Sequence, residues 1–597
     1  MEVLQGIGVS SGVAIGPVYI LGREEIVLTS RKVQPEEVPG EIERFRQALL
    51  LATEDVSHIR EISLSKMPPK YAAIFDAHIA ILKDPSLSRE IEGFVRERLV
   101  VAEHAVSRVF RKYIATLELI DQEYLSQRAD DLRDLERRVI AHLAGTRNRG
   151  LEKIDTKVIL ISRYLTPSET ATLSKDRILG IATDMGGLTS HASILARALE
   201  IPAVVGLRTI SNHVSVGDIV IIDGFRGRAI ISPNESTVEQ YRLMQRDFVY
   251  TRYLADLDKM KPCVTEDGVT CSVMANIDHP DEIQTCLDHG ASGVGLFRTE
   301  FLYLNRTTLP TEEEQYALYS QAISVADGHQ ITFRTFDIGA DKMPIGSINA
   351  EQANPALGLR AIRLARVMSE MFRSQLRAML RAAADWSKKN RHSDMSNVKI
   401  MFPMVSHSSE FVWAKLQIKS IRDQLYAEGV RVPREIQIGA MLEVPAIFLA
   451  AEHLISRADF LSIGTNDLIQ YLFAVDRTNE DVSYLYTPSH QSVLILLQML
   501  MSTVSTSGLR KTPPISVCGE MAADPLTLVL LLGIGIREVS VSVPTVPLIK
   551  HIIRSISVRE CRDIASRALA QTKPDIDLTV VRQYLNERMS DLFAGSE

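Results

Sequence analysis

The chain of 597 residues is 46% hydrophobic and 24% charged, an ordinary globular composition, and at about 150 residues per domain it holds roughly four domains, fewer if one is a large barrel. Its net charge of −7 argues against a nucleic-acid or anionic-membrane surface. Five cysteines without a CxxC pair suggest neither a disulfide framework nor a zinc site, and there is no basic signal region and no apolar run of about 18 residues, so the expectation is a cytoplasmic protein without a membrane span.

Residues 1–20 alternate apolar and small residues with glycine breaks and read as strands. From about Pro35 to Ala144 apolar residues fall at helical spacing with charges between them, so this stretch reads as an insert of several helices. Strand-like runs return as KVILIS (157–162), ILGIAT (178–183), PAVVGL (202–207) and DIVIIDG (218–224). One discontinuous α/β domain, 1–34 and 145–234, is therefore expected to carry an inserted α-helical subdomain, 35–144. Residues 235–260 read as a long helix that links this domain to the C-terminal segment, 261–597.

The α/β domain contains GGLTSHASILARALEIP, residues 186–202. The helix opening at His191 has Ile194, Leu195, Ala198 and Leu199 on one face, with Thr189 or Ser190 placed to cap it. A helix start offers unpaired N–H groups and the positive dipole end, which attract an anion and favour the neutral, nucleophilic imidazole. Physics alone leaves the question even, because a histidine at a helix start is often only solvated.

Beyond Lys261 eight short apolar runs alternate with helical stretches: VTCSVMANI, GVGLFRTE, QITFRTFDIG, VKIMFPMV, IQIGAMLEV, FLSIGTND, ISVCGE and EVSVSV. This rhythm predicts a (β/α)8 barrel, with a doubly wound sheet as the alternative. Barrel enzymes work at the C-terminal ends of their strands. There the second run brings Arg298, Thr299 and Glu300, and the third Arg334 and Asp337. The fifth brings Glu443, the sixth Asn466 and Asp467, and the seventh Cys518 and Glu520. Arg360 and Arg363 follow NPALGL, and Arg477 follows the sixth run. Arginines converging with two carboxylates suit a phosphorylated acid and Mg²⁺. Singly, each arginine is more simply a structural ion pair; the set favours a site. Cys518 is either core filler or, beside Gly519 and Glu520, a general acid or nucleophile.

These segments resemble enzyme I of the bacterial phosphotransferase system. The likeness runs through LTPSET (165–170), GGLTSHASILARALEIPAVVG, GVGLFRTEFLYLNR, RTFDIGADK, NPALGLRAIR, IMFPMV, GAMLEVPA, DFLSIGTNDLIQYLFAVDRTN and CGEMAADP, in order over nearly the whole chain. The resemblance implies a multidomain α/β protein: a swivelling phosphohistidine domain with an inserted HPr-binding helical subdomain, then a phosphoenolpyruvate-binding TIM-type barrel that dimerises. It implies that Glu443 and Asp467 hold Mg²⁺, while Arg298, Arg334, Arg360, Asn466, Asp467 and Arg477 bind the substrate. His191 would take the phosphoryl group and Cys518 would protonate the departing enolate to pyruvate. Thr170 matches the family's hydroxyl partner of that histidine, and Arg128 its nearby arginine. The phosphoryl group would then pass to a histidine of the carrier HPr, the first step of sugar uptake.

One letter departs from the pattern: the family usually reads GGRTSH, and here Leu188 replaces the arginine. Phosphorylation is expected to survive, with rate or carrier preference put in doubt. Pyruvate phosphate dikinase and phosphoenolpyruvate synthase share these modules but need a nucleotide-binding domain for which this chain has no room. A slow regulatory paralogue is the rival of another class; the nitrogen-type paralogues carry an N-terminal sensory domain, which is not expected here.

Overall fold

The computed structural model describes residues 1–10, 12–21, 31–66, 69–118, 123–145, 156–165, 169, 177–187, 190–303, 308–340, 343, 354–390, 395–476, 482, 485–571 and 576–589; the side chains at 62–66, 69–74, 118, 123–128, 130, 191, 194, 198 and 247 lie outside that description. The chain forms two compact units, Met1–Gln245 and Arg246–Glu597. The division falls inside the helix Glu235–Asp258.

In the first unit, eight strands make one sheet: β1 (Glu2–Gln5), β2 (Ile7–Ser10), β3 (Val13–Leu21), β4 (Val158–Ser162), β5 (Ile178–Thr183), β6 (Ala203–Val205), β7 (Ile219–Asp223) and β8 (Arg228–Ile231). Their order is β1-β8-β7-β3-β4-β5-β6-β2. β3 to β6 run parallel and the remaining pairs antiparallel. The two edge strands are separated in sequence by Gly6 alone, so the sheet must curl for one residue to pass from edge to edge. A Cβ at Gly6 would stand 2.5 Å from the Val205 carbonyl oxygen, and one at Gly8 would stand 2.3 Å from that of Gly224. Only glycine permits such a close backbone approach. β8 is the strand for which the sequence raised no expectation.

Between β3 and β4 lie α1 (Val38–Lys66), α2 (Pro69–Leu82), α3 (Pro85–Arg98), α4 (Ala102–Glu118) and α5 (Glu123–Leu143). They bury a core of their own, including Phe45, Phe75, Ile91, Val106, Phe110 and Leu135. Asp84 starts α3 by accepting from the Ser86 N–H, with Pro85 at the first helical position.

The second unit is a closed, all-parallel barrel of β9 (Ser272–Ile277), β10 (Gly293–Phe297), β11 (Gln330–Arg334), β12 (Val398–Phe402), β13 (Gln437–Leu442), β14 (Phe460–Ile463), β15 (Ile515–Val517) and β16 (Glu538–Ser542). Each of the eight expected runs supplies one strand. β16 pairs with β9 over five positions, and this closure decides against the doubly wound sheet. The strands are buried on both faces, the outer one under helices such as Pro525–Ile534, whose Leu528–Leu532 are all buried. Among the described residues no helix is long and apolar enough to cross a membrane.

Candidate active site

The C-terminal ends of the barrel strands carry a buried ionic network. The Arg334 guanidinium ends β11 and meets Glu300 at 2.9 Å and Asp337 at 3.2 Å. Arg360 grips Asp337 with two bonds, Nε to Oδ1 at 2.7 Å and Nη2 to Oδ2 at 3.0 Å. Its Nη2 also reaches Asp467 Oδ2 at 2.8 Å, and its Nη1 donates to the Tyr471 hydroxyl at 3.1 Å. Burial works against both guanidiniums. For Arg334 the charges of Glu300 and Asp337, and for Arg360 those of Asp337 and Asp467, outweigh it and raise the pKa above the ordinary arginine value.

Asp337, Glu443 and Asp467 each offer an oxygen, and the three lie within 4.8 Å of one another. Glu443 Oε1 accepts from the Met404 backbone N–H at 2.6 Å. Burial, then the negative charges of Asp337 and Asp467, push the Glu443 carboxyl up to about 8. Four carboxylates, counting Glu300, face two guanidiniums. The excess of negative charge and the hard oxygen donors fit a divalent cation, which takes one or two carboxylates and leaves positions for water and phosphate. Gly464 makes room for this cluster, since a Cβ there would stand 2.7 Å from Glu443 Oε2.

Around the cluster, Asn466 Oδ1 accepts from the Glu520 backbone N–H at 2.8 Å. Gly519 is required beside it, because its Cβ would fall 1.8 Å from Thr465 Oγ1. Arg298 lies after β10 and is held by Asp278 at 3.4 Å. Cys518 directly follows β15 and lies in a small core with Leu296, Met401, Met441 and Phe460. Burial raises its thiol pKa, and the thiol donates to the Ile463 carbonyl oxygen at 3.5 Å.

In the first unit, His191 is the first residue of the helix His191–Leu199. Ser190 is the cap, accepting from the Ser193 N–H at 3.4 Å, and Ser193 Oγ donates to the Gly187 carbonyl at 2.6 Å. The turn before it needs φ of +116° at Gly186, a glycine conformation. Ala192, Leu195 and Ala196 face the sheet core with Leu199 at its edge, while the side chains of Ile194 and Ala198 are outside the described residues.

The structure thus brings Arg334, Arg360, Glu443 and Asp467 into one network, with Asn466 and Cys518 on adjoining strand ends and Arg298 on its own ion pair. Arg477, Thr170 and Leu188 lie outside the described residues, as do the side chains of His191 and Arg128, the latter on α5. Asp337, which the sequence places at a strand end without a role, bonds both buried arginines. Its position beside Arg334 in RTFDIG was the available signal. Tyr471 carried none, because its contact with Arg360 joins residues 111 apart.

Three family profiles match the chain in sequence: PEP-utilising enzyme, N-terminal, over 5–128; PEP-utilising enzyme, mobile domain, over 154–227; and PEP-utilising enzyme, PEP-binding domain, over 253–558. A phosphoenolpyruvate-protein phosphotransferase of Listeria monocytogenes is 39% identical over 587 residues, 98% of this chain and 99% of that one. One from Staphylococcus carnosus is 37% identical over 97% of this chain and 99% of its own. A solution structure of Enzyme I (nEIt) aligns with 41% of this chain and 99% of that one, at 40% identity and a TM-score of 0.37.

Proposed function

The chain belongs to the family of phosphoenolpyruvate-protein phosphotransferases, and from that premise we propose that it moves the phosphoryl group of phosphoenolpyruvate to its own His191 and then to a histidine of an HPr-type carrier. The observation that carries the reading is the network of Arg334, Arg360, Asp337, Glu443 and Asp467 at the barrel mouth. Arg334 and Arg360, with Arg298, Asn466 and Arg477, bind the phosphate and carboxylate of the donor. Glu443 and Asp467 would hold Mg²⁺, which when bound would supply positive charge to the transferring phosphate. Asp337 keeps the two guanidiniums in fixed orientation.

His191 attacks phosphorus as the bond to the enolate oxygen breaks, and Cys518 gives its thiol proton to C3, forming pyruvate. The helix that opens at His191 offers backbone N–H groups to the transferred phosphate. Thr170 and Arg128 support the phosphohistidine, and α1–α5 dock the carrier. We place the protein in the cytoplasm as a homodimer through the barrel. Large exposed apolar side chains there, Val412 and Leu416 one turn apart among them, support that association.

Incubation with labelled phosphoenolpyruvate and Mg²⁺ is expected to give an acid-labile, base-stable label, and none in His191→Ala. Label in His191→Ala, or none in the native chain, would end the proposal. Transfer of the label to HPr-type carriers separates the sugar-uptake role from a slow regulatory one.

A further inference from the structure

The backbone that carries Arg334 and Asp337 outruns its strand. β11 pairs with β12 as far as Arg334, and the Thr335 N–H still reaches the Met401 carbonyl at 3.0 Å. A buried backbone group left without a partner is costly, and here side chains take over from the ladder. The Phe336 N–H donates to Gln375 Oε1 at 3.1 Å, and the Asp337 N–H to Glu300 Oε1 at 2.9 Å. The Arg334 carbonyl accepts from Thr299 Oγ1 at 3.0 Å. Gln375 lies on the helix Ser369–Asn390 and is fully buried. Its Nε2 donates to Thr299 Oγ1 at 3.0 Å and to the Tyr319 hydroxyl at 3.1 Å. A carboxamide has two N–H donors and one carbonyl oxygen, so every function is in use. Which end is oxygen is forced, because the Phe336 N–H can only donate. Thr299 has one hydroxyl proton, and accepting from Gln375 leaves it for the Arg334 carbonyl.

One carboxamide therefore braces two successive peptide groups, Arg334–Thr335 through Thr299 and Thr335–Phe336 directly. Packing from the same helix holds the turn as well. The Phe336 ring meets Phe372 edge-on, with centroids 6.1 Å apart, and Phe372 precedes Gln375 by one helical turn on the same face. The side chains on either side of these peptide groups are Arg334 and Asp337, which form an ion pair at 3.2 Å and share the network with Arg360. We propose that Gln375 is a positioning residue for donor binding: by fixing both peptide groups it sets the angle between Arg334 and Asp337, and with it the direction in which the Arg334 guanidinium faces phosphoenolpyruvate. This rests on the reading that Arg334 binds the donor. Gln375 acts through the backbone and through Thr299, with no contact of its own to the donor.

The test measures steady-state phosphotransfer by the full-length protein, with phosphoenolpyruvate, Mg²⁺ and an HPr-type acceptor, in the native chain, Gln375→Met, Thr299→Val and Thr299→Ser. Methionine keeps the length of the side chain and removes its hydrogen-bonding groups. Gln375→Met is expected to raise the KM for phosphoenolpyruvate about ten-fold and to leave kcat within about two-fold, the pattern of a lost binding interaction. Thr299→Val cuts the link to the Arg334 carbonyl, leaves the Phe336 bond in place and moves KM in the same direction. Thr299→Ser keeps the hydroxyl and restores the native value. These two threonine variants decide the matter by themselves should Gln375→Met not fold. A merely structural glutamine is separated by a cycle with Arg334→Lys, since lysine has no fork to aim. Adding Gln375→Met to Arg334→Lys should change KM by less than about two-fold, while the urea midpoint falls by the same amount in both backgrounds. An unchanged KM in Gln375→Met and Thr299→Val, or the same factor in KM with and without Arg334→Lys, overturns the brace. Absence of phosphotransfer in the native protein overturns the underlying reading instead, and the brace with it.

Discussion

Asp337 touches both arginines that face the proposed donor, so it controls geometry at two positions at once. Arg360→Lys keeps the charge but loses the two-bond grip on Asp337. Its kcat/KM for phosphoenolpyruvate is expected to fall by about 100-fold, with unchanged circular dichroism. Gly519 tests packing instead. Gly519→Ala places a methyl against Thr465 Oγ1 and displaces the turn that holds Asn466. A cost of about 1–3 kcal/mol is expected in urea unfolding, partly recovered by adding Thr465→Ala, which removes the clashing atom. Cys518, Glu443 and Arg334 were legible in the sequence because each follows an apolar run at the working end of a strand. Gly464 and Gly519 were not read as required, since the atoms that crowd them, Glu443 Oε2 and Thr465 Oγ1, come from other strand ends.

Among the elements, the helix Val558–Leu569 shows how a distant residue can start a helix. Asp267, nearly 300 residues away, accepts from the Val558 and Arg559 N–H groups and from Ser557 Oγ. Hydrogen bonds from Thr265 foremost, and from these groups, hold its carboxyl well below the usual range. Asp267→Ala is expected to cost about 1 kcal/mol in chemical unfolding. A depressed carboxyl pKa stabilises the fold above the unfolded value near 3.8, and that share is lost as the pH falls through the folded pKa. The difference between native and variant should therefore be full at neutral pH and shrink in acid. A local cap such as Ser190 or Asp84 is visible in sequence; this one is not, because the capping group arrives through the fold.

At the scale of the molecule, the barrel concentrates negative charge that its own arginines do not cancel. The raised Glu443 pKa reverses the usual sign for a carboxyl. The folded state binds the extra proton, so the cation-free protein loses stability as the pH climbs from about 4.5 to about 8. On the proposed reading, a divalent cation bound there would displace that proton. Calorimetry of Mg²⁺ binding at pH 7 in buffers of different ionisation enthalpy should show proton release, fading above pH 9; release that does not depend on pH would contradict this. The order of segments, the eight barrel strands, the helical insert and the residues that end each strand were determined by the sequence alone, because hydrophobic period and strand-end chemistry are local properties. Closure of the barrel, the curl of the first sheet through Gly6 and the partnering of Asp337 with two arginines were decided only by the tertiary structure. Each of these joins residues far apart in the chain, and no local pattern records which of them will meet.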